Sequence, residues 1–583
     1  MVKDKKILIT GGLGFVGFNA VLHFSKNNRV CVIDDCSRVG VDHNVEQLEE
    51  LKIEFHCLDI SHSKELREIY YAFQPDIVVH MAAQVAVTLS ISNPVRDYNS
   101  NIQGSFNLLE LARTSNKKPI LLYASTNKVY GSSSQDIIMK EGRYSTSNDM
   151  CYSEEVQLSF ETPYGCSKGA ADQYFVDYAR TYGIPSVVFR QSCIYGPHQY
   201  GMEDQGWVAW FAICSAFSEA ITIFGDGNQV RDVLYIDDLI NLYEKAILNI
   251  DSIKGEVFNI GGGPSKTLSL NELVAILSKK TGKPLEVSYA DWRLGDQKVY
   301  VSDVGKVERL LGWRPQTNPV DGVEKLLDWI SKERETIDYV KQKQLEGNQL
   351  CDVSIVLPAR NEEACIPFVL DELDMVIRNS SYSIEVIVVN DRSTDKTADI
   401  ARQYSFVKLI ENKHNQGKGG ALRTGFAETR GTYIVMMDAD FSHRAYDLPD
   451  MVDTVRRCNG LVIASRVTGD SEEYNKLRAF GNYFLTWVFG FLHGRYLSDA
   501  LNGFKAFHRD VYFEFEYTSN AYEIEIELLV NTLRLKRKIL EIPSGERERL
   551  AGKMKSSVIE HGTLFFWRSI FEYFRNPKRK DVN

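Results

Sequence analysis

Short apolar runs alternate with longer stretches of mixed polarity along the first part of the chain. "KILIT", "RVCVID", "IEFHCLD", "DIVVHMA" and "ILLYAS" each have the length of a strand, and helix-like segments separate them. Strands recurring between helices predict βαβ units and a parallel sheet. Near residue 335 the rhythm breaks: "ISKERETIDYVKQKQLEGNQL" is charged, poor in apolar residues and without strand pattern. It resumes through "CDVSIVLPARNEE", "IEVIVVNDRS", "FVKLIENKHNQGKGG", "TYIVMMDADFS" and "LVIASRV". The pattern predicts two doubly wound α/β domains, 1–335 and 351–583, joined by a linker over 336–350. One long surface helix inside a single domain is the other arrangement this pattern allows.

Composition leaves that picture in place. The 583 residues are 44% apolar and 25% charged, an ordinary balance for a globular chain. A net charge of −10 argues against general nucleic-acid binding. The ten cysteines include no CxxC pair and read as reduced thiols. "MVKDKKILITGG" runs straight into a strand, so no secretory signal is expected. No apolar run reaches the roughly 18–20 residues that span a bilayer. A cytoplasmic chain is expected, with the inner face of a membrane as one place of contact.

In "ILITGGLGFVGFNAVLHF" a strand, the triplet Gly11, Gly14 and Gly17, and a helical pattern follow in order. The first glycine permits a tight turn, the second lets the backbone approach a pyrophosphate, and the third allows close helix packing. Asp34 ends the next strand, about 20 residues on, where a carboxylate accepts from ribose hydroxyls and repels a 2′-phosphate. NAD is therefore expected over NADP, although Arg38 nearby pulls the other way. In "TPYGCSKGAADQYF", Tyr164 and Lys168 lie i,i+4 on one helix face. An ammonium there is expected to lower the phenol's pKa and make it a usable acid/base. "LLYASTNKVYG" delivers hydroxyls to a strand end, followed by Asn127 and Lys128 with no carboxylate.

With "DYNSNIQGSFNLLEL" and "GDGNQVRDVLYIDDL", these segments make residues 5–330 resemble the extended short-chain dehydrogenase/reductase family of nucleotide-sugar enzymes. The resemblance implies a catalytic set of Thr126, Tyr164 and Lys168. It implies cofactor contacts from Gly11, Gly14, Phe15, Val16 and Gly17, and from Asp34, Asp35 and Arg38. Asp59, Ile60, Ala82, Gln84 and Asn101 complete that set. Substrate contacts are implied for Asn127, Arg190, Arg231 and Arg293, the last two as arginines that hold a nucleotide diphosphate. Asn259 is expected to position a loop, and His198 reads equally as a substrate contact or a structural residue. Sugar dehydratases of the family carry Asp-Glu after the threonine; Asn127 and Lys128 stand there instead, so epimerisation is expected and loss of water is not. The segments most resemble the family's enzymes that act at C2 of CDP-linked sugars, and C4 stays open as the alternative. The family also implies a homo-oligomer through the first half.

In the second half, "MMDADFSH" ends a strand with Asp438 and Asp440, two carboxylates that suit one Mg²⁺ or Mn²⁺ bridging to a diphosphate. A lone DxD says little. Together with "SIVLPARNEE", "VVNDRSTDKT" and "NQGKGGALRTGF" it makes about residues 352–555 resemble family 2 glycosyltransferases with a GT-A fold, of the dolichyl-phosphate mannose synthase type. The resemblance implies a nucleotide pocket lined by Pro358, Arg360, Glu362 and Asp391, and phosphate within reach of Lys418. It matches "SDALNGFKAFHRD" around Asp499 and Lys505, and "ERLAGKMKSS" with Arg549 and Lys553, which it places near an acceptor phosphate. A polyprenyl phosphate or a glycan is the expected acceptor. "NYFLTWVFGFLHG" and "TLFFWRSIFEYFRNPKRK" are aromatic-rich, and the second carries basic residues at its end. Each reads as an interfacial helix or as a core helix or subunit contact. The simplest joint reading is one enzyme that makes an activated sugar and transfers it, in surface-polysaccharide assembly. Two halves serving different sugars, or one half a degenerate nucleotide-sugar-binding module, are the alternatives.

Overall fold

The computed structural model describes the chain apart from residues 39–40, 133–135, 204, 294, 348–350, 379, 381, 414–416, 468–475, 548, 551–557 and 576–583. It divides into two compact units, Met1–Leu345 and Glu346–Asn583. In the first, strands β1 (Lys6–Thr10), β2 (Arg29–Asp34), β3 (Glu54–Cys57), β4 (Ile77–His80), β5 (Ile120–Thr126), β6 (Ser186–Gln191) and β7 (Val257–Ile260) form one sheet. Their order is β7-β6-β5-β4-β1-β2-β3 and every pairing is parallel. The strands are continuous apolar runs because both faces are covered. Ile7, Ile9 and Val79 pack into one core, and Leu8, Val78 and Tyr123 into the other.

The chain reverses its winding between β1 and β4, so their carboxyl ends open a crevice. Gly11 turns there with φ +70°, and a Cβ on it would lie 2.5 Å from the Ala82 nitrogen beyond β4. Helix α1 (Phe15–Phe24) then starts at Gly14 without a side-chain cap, leaving its first N–H groups turned to the crevice. Helix α2 (Pro163–Tyr182) is capped by Thr162, begins with proline, and stops at Gly183 with φ +64°. The segment expected to be a linker is largely helix α3 (Arg334–Gly347). Ile337 and Val340, three residues apart within its charged sequence, are buried in the first unit's core, which is why it folds there.

The second unit is a mixed sheet of β8 (Val353–Ala359), β9 (Ile384–Asn390), β10 (Val407–Glu411), β11 (Tyr433–Met436), β12 (Leu461–Ser465), β13 (Lys505–His508) and β14 (Ile539–Pro543). The order is β10-β9-β8-β11-β13-β12-β14, with β13 antiparallel to both neighbours. Its winding reverses between β8 and β11. Helices α4 (Gly417–Ala427), α5 (Lys476–His493), α6 (Ile524–Arg534) and α7 (Val558–Phe574) belong to this unit. No helix among the described residues is long and apolar enough to cross a membrane.

The glycines of the first turn separate by cause. A Cβ at Gly17 would sit 2.1 Å from the Gly11 carbonyl oxygen, whereas one at Gly14 meets nothing closer than 3.4 Å. Gly17→Ala is expected to lower stability by about 1–3 kcal/mol through overpacking. Gly14→Ala should leave the urea midpoint of the first unit nearly unchanged. Equal midpoints for the two variants would contradict this division.

Candidate functional site

In the first unit Thr126 closes β5, and the α2 helix brings Tyr164 and Lys168 beside it, all three buried. The Thr126 Oγ1 donates to the Asn127 Oδ1 at 3.4 Å and accepts from the Lys128 backbone at 3.3 Å. The phenol does not have the lowered pKa expected of it. Burial pushes it up to about 12, the nearby Thr126 side chain opposes this, and the Asp97 carboxylate adds to it. The ammonium meant to lower it is itself disfavoured: burial pushes Lys168 down to about 7, against the pull of Asp97 and Asp172. Its Nζ lies 4.4 Å from the centre of the Tyr123 ring. Beneath it His80 is held neutral, pushed down to about 3 by burial and by Lys168. His80 bridges the hydroxyls of Thr10 at 2.7 Å and Ser105 at 2.9 Å.

Around the crevice, Asp34 ends β2 and accepts from the amides of Leu13 and Cys36, each at 3.0 Å. Burial, then the neighbouring Asp35, pushes its carboxyl up to about 6. Asp35 itself is tied to Ser37 at 2.7 Å, and Arg38 donates to the Tyr200 carbonyl at 3.3 Å. Phe15 and Val16 open α1 over the sheet. Asp59 turns the chain after β3 by accepting from the Ser61 amide at 2.8 Å. Ile60 is buried and its carbonyl accepts from Asn107 at 2.9 Å, so its side chain belongs to the core beneath the crevice. Ala82 touches the Gly11 turn. The buried Gln84 leaves its Oε1 without a hydrogen-bond partner. Asn101 does not face the crevice as a free ligand. Its amide works internally, with the Gln84 backbone at 2.8 and 3.0 Å, Asp97 at 3.1 Å and Ser167 on α2 at 2.9 Å all in reach.

Two substrate expectations separate in the structure. Arg190, at the end of β6, is buried in a two-point ion pair with Asp172 of α2 at 2.8 and 3.0 Å and donates to Tyr130 at 2.9 Å. It is a strut, because its fork is consumed by a carboxylate that the sequence hides eighteen positions away. Arg231 is buried with one backbone acceptor, the Val230 carbonyl at 2.9 Å. Arg293 is half-buried, donating to the Glu203 carbonyl at 3.0 Å and stacked 3.6 Å from the Phe224 ring centre. Asn127 is buried beside Thr126. Asn259 bonds Tyr130 and the Tyr152 carbonyl, each at 2.8 Å, a positioning role. His198 packs edge-on to Phe18 at 5.1 Å, its Nδ1 buried without a partner.

In the second unit the predicted residues gather at the carboxyl ends of β8, β9 and β11. Three non-glycine residues there adopt left-handed backbone: Asn361 (φ 51°), Arg392 (φ 57°) and Phe441 (φ 67°). Such strain costs on the order of 1 kcal/mol each and collects at ligand sites. Asp391 accepts from Asn412 at 3.0 Å. Pro358 and Arg360 flank the end of β8. Glu362 is fixed by the Thr397 hydroxyl at 2.8 Å and paired with Arg549, whose Nε lies 3.7 Å from Asp440. Asp440 accepts from the Ser442 hydroxyl at 2.6 Å. Lys418 lies on Asp438 at 2.8 Å and on Glu525 at 3.3 Å. Burial pushes the Asp438 carboxyl up but is outweighed by Lys418, His443 and Arg549, which hold it below the usual range. A Cβ at Gly503 would strike the Lys418 Nζ at 2.7 Å, so glycine there admits the pair. Asp499 and Lys505, which the resemblance placed near an acceptor phosphate, are both buried. Asp499 is buried against Arg466 at 2.7 and 2.8 Å, and Lys505 is buried 3.7 Å from Glu525. Lys553 lies outside the described residues.

With this geometry in hand, comparison with known proteins is direct. Residues 7–261 match the NAD dependent epimerase/dehydratase family, and residues 354–513 match glycosyl transferase family 2. The chain belongs to the NAD dependent epimerase/dehydratase family through its first half and carries a family 2 glycosyl transferase domain in its second. Over 335 residues it is 42% identical to the CDP-paratose 2-epimerase of Salmonella typhi, covering 56% of this chain and 99% of that protein. It is similar in structure to the UDP-glucose 4-epimerase of Thermotoga maritima with UDP-glucose (TM-score 0.50, 30% identity, 56% of this chain and 99% of that one). It is likewise similar to the UDP-glucuronic acid 4-epimerase of Bacillus cereus in complex with UDP-glucuronic acid and NAD (TM-score 0.50, 28% identity, 56% and 99%).

Two substitutions test the buried charges. Arg190→Ala leaves Asp172 unpaired and is expected to lower unfolding free energy by about 3–5 kcal/mol; a loss under about 1 kcal/mol in urea would show that the pair is not a strut. Lys168→Met removes a buried ammonium whose pKa lies below its unfolded value. The wild-type chain therefore bears a penalty that is full below pH 7 and fades as pH rises toward the unfolded lysine's pKa of about 10.4. The variant should melt higher than wild type at pH 7, and the gap should narrow by pH 10. A constant gap would refute this.

Proposed function

We propose that the first half epimerises a nucleotide sugar at C2, with a CDP-linked sugar as the preferred substrate, and that the second transfers a sugar from a nucleotide to a polyprenyl phosphate or glycan. The observation that carries the first part is a Thr126–Tyr164–Lys168 set at the β5 end followed by Asn127 and Lys128, with no carboxylate in the positions that would expel water. The likeness to the Salmonella typhi enzyme supports C2 and the cytidine nucleotide.

The crevice fits NAD on internal grounds: an uncapped helix start, a glycine at position 14 that nothing in the chain crowds, and a buried Gln84 oxygen without a partner. Gly11, Gly14 and the α1 N-terminus would hold its pyrophosphate, with Gly17 letting the helix pack close, and Asp34 would hold its ribose. NAD, when bound, supplies the place where the hydride is taken and returned. Tyr164 moves the proton of the sugar hydroxyl. Thr126 holds that same oxygen. Lys168, one turn along α2 on the same face, would orient the phenol.

In the second half Asp438 and Asp440 would hold a divalent cation. Lys418 on Asp438 and the Arg549 guanidinium near Asp440 show how strongly the two carboxylates attract positive charge. Mg²⁺ or Mn²⁺ there would neutralise the diphosphate as it leaves. Pro358, Glu362 and Asp391 line the nucleotide side.

Helix α7 supports contact with a membrane surface. Arg568 of α7 and Arg575 just beyond it reach the buried Glu527 of α6, and Glu572 pairs with Arg534 at 2.8 Å. Phe565 is buried in the core, but Trp567, Phe571, Tyr573 and Phe574 face outward, Trp567 being 65% and Phe574 78% exposed. The packed helix α5 adds Tyr483, Trp487 and Phe491 to the exposed aromatics. Aromatics of this kind suit the lipid interface, and Lys578, Arg579 and Lys580 follow in sequence.

Incubation with CDP-hexoses in D₂O, followed by NMR, should show inversion at C2 without deuterium at carbon; deuterium entering C2 would sink the hydride route. Tyr164→Phe is expected to abolish epimerisation and spare transfer, and Asp440→Asn to do the reverse. Loss of both activities in either variant would overturn the two-site division. Trp567→Ser with Phe574→Ser should reduce flotation with anionic vesicles at least several-fold, and unchanged flotation would remove the lipid contact.

A further inference from the structure

Each carboxylate read as a cation ligand in the second unit already faces a cation of the protein's own. Lys418, the second residue of α4, lies 2.8 and 3.0 Å from the two oxygens of Asp438. The same ammonium reaches Glu525 on α6 at 3.3 Å and lies 5.0 Å from the Tyr522 ring centre. Glu525 is 1% exposed, and its other oxygen lies 3.7 Å from the ammonium of the buried Lys505. The backbone at Gly503 comes so close that a Cβ there would fall 2.7 Å from the Lys418 Nζ and 2.8 Å from an Asp438 oxygen. Two residues on, Asp440 has the Arg549 Nε at 3.7 Å.

Asp438 and Glu525 thus meet Lys418 and Lys505, two negative charges against two positive ones. A bare divalent cation entering this balanced, largely dry cluster would leave positive charge without a partner, which is costly. A nucleoside diphosphate brings the negative charge that restores the balance. We propose that Lys418 is a resident counter-ion that closes Asp438 to free divalent cations and yields it only to a cation arriving with a nucleoside diphosphate. This rests on the reading of Asp438 and Asp440 as cation ligands and adds an order of binding to it. Glu525 is the positioning residue: it keeps the ammonium when Asp438 releases it, so the lysine changes partners without leaving the site. Such coupling is reciprocal, so the cation tightens the nucleotide by the factor that the nucleotide tightens the cation.

Equilibrium dialysis of the full chain against Mn²⁺, alone and with GDP, UDP or CDP at matched free Mn²⁺, counts the ion the protein holds without any turnover. Wild type should hold Mn²⁺ at least 10-fold more tightly with one of these diphosphates than without. Lys418→Met should hold Mn²⁺ alone at least 10-fold more tightly than wild type and gain less from the nucleotide. Lys418→Arg, which keeps the charge, should stay near wild type. The wild-type comparison needs no substitution, so it decides even where a variant fails to fold. Equal wild-type affinity for Mn²⁺ with and without every diphosphate overturns the proposal. So does a Lys418→Met chain, folded by its melting curve, that binds Mn²⁺ alone no better than wild type. If Asp438→Asn with Asp440→Asn holds as much Mn²⁺ as wild type in the presence of nucleotide, the cation reading itself fails and the proposal falls with it.

Discussion

The first site depends on one buried ion pair. Asp172 and Arg190 tie helix α2 to β6, and the Ser125 hydroxyl on β5 joins the same carboxylate at 2.9 Å. Three elements from distant parts of the chain meet on one side chain. Everything that α2 carries, Tyr164 and Lys168 included, is placed against Thr126 by that knot. A second tie, Asn101 to Ser167, fixes the start of the helix to the loop after β4. The residues proposed to react have few direct bonds of their own, and their geometry is borrowed from neighbours that never touch a ligand.

The second site uses the same economy with a different motif. Carboxylates at strand ends face fixed cations: Lys418 on Asp438, and Arg549 between Glu362 and Asp440. Behind them Glu525 and Lys505 continue the charges into the core. A divalent cation at Asp438 would compete with Lys418 for the same oxygens, and the glycine at 503 leaves the lysine room beside them.

The sheets were legible because buried parallel strands are continuous apolar runs, and their ends are marked by glycine, aspartate and hydroxyl residues. That Tyr164 and Lys168 share one helix face was legible from their spacing, while their grouping with Thr126 came from the family resemblance. Arg190 was not, since an arginine after an apolar strand looks the same whether it meets a phosphate or Asp172. The direction of the Tyr164 shift was also hidden, because it is set by burial, which no spacing reports. Asn101 was placed in the right neighbourhood with the wrong partner. The helix over Arg334–Gly347 passed for a linker because two apolar residues anchor it within a run of charges. The aromatic content of α7 was plain, but the basic Arg575 just beyond it turns inward to Glu527, so which face meets solvent needed tertiary contacts.

That inverted polarity of α7 has a consequence for how the chain is handled as a substance. The helix exposes its aromatic face only when its charges are satisfied against α6. In the unfolded chain the same residues form no continuous apolar surface. A surface that takes up this face more tightly than it takes up the unfolded chain raises the melting temperature by mass action. Without such a surface the face is a place where copies adhere to one another.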